Sequence, residues 1–240
     1  MRAARSGGER NMHYRYVIEF EDGGQKTVDI RLDPATLRLQ ADPPAPPPPW
    51  TLLDNHKCPM CPLSSREHSC CPIALNLAGI MEVFSDKNST TTVSARVISP
   101  EREYFKKTTL QSVMSSLVGL YMAASGCPVM RMLTPMVRFH LPFATLPETI
   151  HRSVSSYLLR QYLRKEKGLE PDWDLKNLNA VYKDIEALNA AFTERVKTAS
   201  TGDANTNAVA ILDVFAKMVP WHIGRGLLAR EFPLAPQDEE

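Results

Sequence analysis

No stretch of the sequence reaches the roughly 18 consecutive apolar residues of a membrane span, so no membrane role is expected. No apolar run follows the two early arginines of MRAARSGGERNM, so this segment does not read as a secretory signal peptide. It reads as a disordered tail over residues 1–11, with a second over 224–240 that ends in PLAPQDEE. An excess of charge of either sign is also missing. The 28 basic and 27 acidic residues leave a formal net charge of +1, and a general nucleic-acid binder is usually more basic, so no nucleic-acid partner is expected. Cysteine is scarce, five residues in 240, and the odd number argues against a full disulfide framework. With no export signal, the expected compartment is the cytoplasm, where thiols stay reduced. A phosphate loop, a dinucleotide fingerprint, a nucleophile elbow and a zinc-protease helix are all absent, so no reaction is assigned. The composition, 43% hydrophobic and 23% charged, still permits a sizeable core in one large domain or one domain with a small appendage.

The first ordered segment, residues 12–40, reads as a hairpin. HYRYVIEF alternates, with Tyr14, Tyr16, Ile18 and Phe20 on one face, EDGG supplies the turn, and KTVDIRL alternates through Val28, Ile30 and Leu32. DPATLRL offers a short return strand. Residues 41–50, ADPPAPPPPW, hold six prolines in ten positions. Proline fixes φ and removes a donor, which makes this a stiff extended linker, or alternatively a polyproline ligand for a protein partner. The main domain is expected over 51–223. In it a helix starts at Pro72, TTVSARVI and EYFKK form a second hairpin, and an uncharged helix fills 109–125 with Thr108 and Gln111 at capping-box spacing. Thr145 and Glu148 are spaced to cap another helix, a long amphipathic helix covers Leu175 to Thr198, and a last one runs from Asn205 to a stop at Pro220.

Residues 56–72, HKCPMCPLSSREHSCCP, gather four of the five cysteines. Cys-Pro occurs four times, at Cys58, Cys61, Cys71 and Cys127. Proline favours the first helical position, which places the preceding cysteine at the N-cap, beside free N–H groups that favour thiolate. Helical stretches follow Cys71 and Cys127, while Cys58 and Cys61 suit a tight turn. Cys58-x-x-Cys61 is a chelating pair, since one turn delivers both sulfurs to one ion. Cys71 is the third candidate ligand. For the fourth, Cys127 is favoured because it shares the Cys-Pro setting and Gly126 would let the backbone approach closely; Cys70, His56 and His68 are the alternatives. Soft thiolates select zinc or an iron–sulfur cluster. Proline after Cys61 replaces the glycine of a common zinc knuckle, and the ferredoxin spacing is absent, so zinc is the first expectation and a cluster the second. His140 and His222 read as structural, His151 as solvated, and Asp203, Asn205 and Asn207 as helix-capping residues.

CPMCPL, CCPIALNLAGIMEVF, LVGLYMAASGCPVMRMLTPMVRFHLPF and GLEPDWDL together resemble a family of bacterial proteins catalogued only as a domain of unknown function, over about His13 to Ile223. The resemblance implies a bacterial, cytoplasmic protein and brings no activity with it. The expected fold is α+β: a small antiparallel sheet from two hairpins and a helical body, with the cysteine loop between them. The expected function is binding of a structural metal by Cys58, Cys61, Cys71 and Cys127. The alternatives are an iron–sulfur or dithiol redox protein and a protein-interaction module.

Overall fold

The computed structural model describes residues 12–40, 44–228 and 232. The expected tail over 1–11, the start of the linker at 41–43 and nearly all of the second tail from 229 onward lie outside the described residues. Within them the chain is α+β. β1 (Met12–Phe20) and β2 (Gln25–Leu32) form the first hairpin, β3 (Thr92–Ile98) and β4 (Glu103–Thr109) the second. β1 also pairs antiparallel with β3, so both hairpins join in one sheet of order β2-β1-β3-β4. The period-2 pattern decides its buried face. Tyr14, Tyr16 and Ile18 on β1, Val28, Ile30 and Leu32 on β2, and Val93, Ala95 and Val97 on β3 are all withdrawn from solvent. The return strand expected in DPATLRL shrinks to one bridge, Leu32 to Leu39. Asp33 turns the chain there, its carboxylate accepting from the N–H groups of Ala35 and Thr36.

Six α-helices complete the described chain: α1 (Pro72–Val83), α2 (Leu110–Ala124), α3 (Pro135–Arg138), α4 (Leu146–Glu166), α5 (Lys176–Lys197) and α6 (Ala204–Gly224). None is long and apolar enough to cross a membrane. α2 lies at the centre, with eleven of its fifteen residues buried, as its lack of charge implies. The Tyr16 hydroxyl lies 2.9 Å from Ser116 Oγ on α2, and the Tyr14 hydroxyl donates to the carbonyl of Val137 on α3, which fixes both helices against the sheet. α6 packs along α2, and α5 packs along α6.

Two helix ends differ from expectation. The box of Thr108 and Gln111 does not form. β4 runs straight into α2, Thr109 becomes the N-cap, and the free N–H groups of Leu110 and Gln111 donate to the carbonyls of Thr91 and Ser89 just before β3. Pro220 does not stop α6, which continues to Gly224. The proline removes one N–H but not the turn after it, where Arg225 N–H donates to the Trp221 carbonyl and the His222 ring bonds the Met218 carbonyl. The box of Thr145 and Glu148 forms as expected, with Pro147 in the first turn of α4.

α5, which lines both sites below, is capped at its start from outside the helix. Its N-cap, Leu175, sits in the left-handed region at φ 60° and brings no capping side chain. Asp172, in the GLEPDWDL segment, takes over. Its carboxylate accepts from Lys176 N–H at 3.1 Å, from Asn177 N–H at 2.8 Å and from the Tyr157 hydroxyl at 2.7 Å. Burial alone would raise its pKa, but these donors outweigh it and hold the carboxyl below its ordinary value. A depressed carboxyl contributes stability above its unfolded pKa and loses it as pH falls through the folded value. Asp172→Ala is therefore expected to cost about 1 kcal/mol at pH 7, and less at a pH where the carboxyl is protonated in both states and accepts only as a neutral acid. Urea unfolding at the two pH values checks this; an equal cost at both would remove the charge from the account.

Candidate metal centre

The cysteine loop is closed at its neck. Leu52 and Cys70 form an antiparallel bridge, Leu53 N–H donates to the Ser69 carbonyl, and Cys71 N–H donates to the Thr51 carbonyl. Residues 54–69 are thereby held as one excursion. At its tip Cys61 N–H donates to the Cys58 carbonyl at 3.0 Å, a tight turn with Pro59 in the second position that suits its fixed φ. Cys71 is the N-cap of α1, with Pro72 first in the helix, as the Cys-Pro pattern implies. Cys127 follows α2 and opens a 3-10 turn over Val129–Leu133, Met130 N–H donating to its carbonyl. Gly126 lies between at φ 82°, a left-handed position that glycine adopts without strain. The reason for glycine here is thus conformation and not a close approach, since an added Cβ would meet only the Arg38 side chain at ordinary contact distance.

These three segments converge. Cys58, Cys61, Cys71 and Cys127 line one cavity of about 20 Å³, together with His56 and Arg195. His68 is exposed and does not line it. Cys70 is buried but turned aside, its sulfur 3.6 Å from Thr51 Oγ1 and 3.8 Å from Ser69 Oγ. All five cysteines are free thiols. Among the described residues no three His, Cys, Asp or Glu side chains stand in the geometry of a formed metal site. The four thiols share a cavity without being drawn onto a common point.

Burial pushes the Cys58 thiol up to about 12, and the thiols of Cys61, Cys71 and Cys127 act in the same direction. Burial also raises Cys127, against the pull of the Met130 and Val129 N–H groups at the start of its turn. The helix-start effect expected for thiolate is present at Cys127, and burial outweighs it.

Arg195, on α5, is the residue that sequence reading missed. It is only 2% exposed. Its guanidinium donates to the carbonyls of Trp50 at 2.8 Å, Leu52 at 2.5 Å and Leu53 at 3.2 Å. Burial lowers its pKa and the thiols of Cys71, Cys58 and Cys61 act to restore it. Among the described residues no carboxylate pairs with it, so the cation is buried against backbone carbonyls and sulfur. A signal existed in the sequence. Leu188 and Phe192 belong to the apolar stripe of the helix, and Arg195 falls seven and three residues further on the same face.

Searches of the curated proteins and of the solved structures found no match. A protein-family model does match, over residues 12–232, and the chain belongs to that family, described as Domain of unknown function (DUF6901).

Proposed function

We propose that this chain is a metal-binding protein in which Cys58, Cys61, Cys71 and Cys127 hold one structural zinc ion, in the cytoplasm, where thiols stay reduced. The observation that carries this reading is the meeting of four thiols from three separate segments in one cavity. The space of about 20 Å³ is that of a single ion or water, which favours zinc over an iron–sulfur cluster. Four thiolates close the coordination sphere and leave no open position, the pattern of a structural rather than a catalytic zinc. A zinc ion with four thiolates carries a net charge of −2. Arg195, which lines the same cavity, would offset half of that charge as a fixed cation.

One zinc per chain is expected to copurify from an anaerobic preparation. Cys58→Ser, Cys61→Ser, Cys71→Ser and Cys127→Ser should each lose it, whereas Cys70→Ser should keep it. Through Cys127 the metal closes the loop from Cys71, which contains the second hairpin and all of α2. Closure of that size restricts the unfolded chain by roughly 4 kcal/mol, so Cys127→Ser should lower Tm by roughly 10 °C. Metal analysis and thermal melts check both points. Full zinc in Cys127→Ser would move the fourth ligand to His56, broad visible absorption would replace zinc by a cluster, and five freely reactive thiols in untreated protein would remove the site.

Arg195→Met should weaken zinc retention by about 10- to 100-fold, read by competition with a chelator. It also strips the carbonyls of Trp50, Leu52 and Leu53 of their donor, so some loss of Tm is expected with or without metal. The distinguishing result is a larger Tm loss in the zinc-loaded protein. Equal losses in both forms would make Arg195 a loop anchor with no part in metal binding.

A further inference from the structure

A second cavity lies against an adjoining face of α5. Its volume is about 280 Å³, at the small end of ligand pockets, and it is walled by α2, α4, α5, α6 and the segment around α3. The walls are mainly apolar, with Leu133, Met136, Val137, Leu212 and Phe215 among them. Spacing explains the geometry: Tyr182, Ile185 and Asn189 follow one another at intervals of three and four residues and present one face of α5 to it.

Asn189 is out of place in such a wall. It is 1% exposed, and neither its Oδ1 nor its Nδ2 has a hydrogen-bond partner among the described residues. A buried amide left unpaired costs about 1–3 kcal/mol, so the position would be better filled by leucine if nothing ever bound it. The other end of the cavity is cationic. Arg152 and Lys106 both line it, and among the described residues no Asp or Glu does. Arg152 is tied by its guanidinium to the carbonyls of Met136 and Phe139, and no carboxylate pairs with it among the described residues. Nearby Glu148 has its carboxylate committed to the cap at Thr145. His140 adds no charge. Burial drops its pKa to about 3, and its Nε2 is taken up by the Tyr16 hydroxyl at 2.6 Å.

Arg152 stands near Tyr182, whose hydroxyl donates to Ser153, the next residue on α4. Asn189 is seven residues along α5 from Tyr182, about 10 Å at 1.5 Å per residue. The cationic end and the amide end are therefore separated by roughly the length of a small elongated molecule.

We infer that this cavity binds a small, mainly apolar molecule with an anionic group at one end, held by Arg152 and Lys106, and a hydroxyl or amide at the other, read by Asn189. Neither pocket detail nor ligand class depends on the metal centre, which is lined by different residues of α5.

The test uses the full chain and four probes in calorimetric titrations: 8-hydroxyoctanoate, octanoate, octane-1,8-diol and octylammonium. The hydroxy acid is expected to bind tightest. Octanoate should be about tenfold weaker because it leaves the amide unpaired, the diol weaker again, and the ammonium without measurable affinity. Asn189→Leu should raise the Tm of the free protein, since it removes an unpaired buried amide, and reverse the preference so that octanoate binds better than the hydroxy acid. Arg152→Gln should abolish the preference for the acid over the diol. A lowered Tm in Asn189→Leu would show that the amide is satisfied inside the fold and overturn the assignment. Failure of all four probes at millimolar concentration, or equal binding of acid, diol and ammonium, would overturn it as well.

Discussion

The guanidinium of Arg195 donates to three carbonyls at the neck of the cysteine loop, those of Trp50, Leu52 and Leu53. Much else in the molecule follows from that anchor. It brings the end of the proline segment onto α5, and with it the bridge of Leu52 to Cys70 and the bond from Cys71 N–H to Thr51. The first of these orients Cys70 away from the cavity; the second sets the N-cap of α1 and so the position of the Cys71 sulfur. Arginine suits the task because its planar fork holds several carbonyls at once and stays charged when buried. A lysine in its place would offer one point charge on a flexible stem.

Long-range closure is the second organising fact. Cys127 lies far from the cysteine loop in sequence and reaches it because α2 runs through the centre of the fold. β4 delivers the start of α2 beside β3, and the left-handed Gly126 turns the chain at its other end so that Cys127 faces the cavity. The central helix thus connects the sheet to the thiol cluster. α2 also contributes Ser116, which meets Tyr16 of β1 on one side, and Gly119, whose bare Cα allows Leu212 of α6 to approach on the other.

Much of this was legible in the sequence because it depends on local rules. Alternation located both hairpins, Thr145 and Glu148 marked the start of α4, and Pro72 made Cys71 an N-cap. The repeated dipeptide singled out Cys58, Cys61, Cys71 and Cys127, and these four line one cavity, though among the described residues not in the geometry of a formed metal site. The misses have tertiary causes. Thr108 has the spacing of a cap, but the carbonyls of Thr91 and Ser89 arrive from another part of the chain to satisfy α2. Pro220 looks like a stop, but the turn that follows has bonds of its own. Asn189 gave no sign at all, since an asparagine among alanines on a helix looks solvated until α6 packs along α5.

Leu188 and Asn189 are neighbours in sequence and face different cavities. On a helix each residue turns the wall by about 100°, so α5 serves as a ruler with two graduated edges. Tyr182, Ile185 and Asn189 are marked on one edge, and Leu188, Ala191, Phe192 and Arg195 on the other. Such a ruler accepts exchange of its side chains far more readily than a change in its length. One residue inserted between Asn189 and Ala191 would swing Phe192 and Arg195 a quarter-turn away from the thiols while leaving the amide where it was. The stretch of α5 between the two cavities is therefore under a constraint of count, separate from any constraint on the identity of its residues.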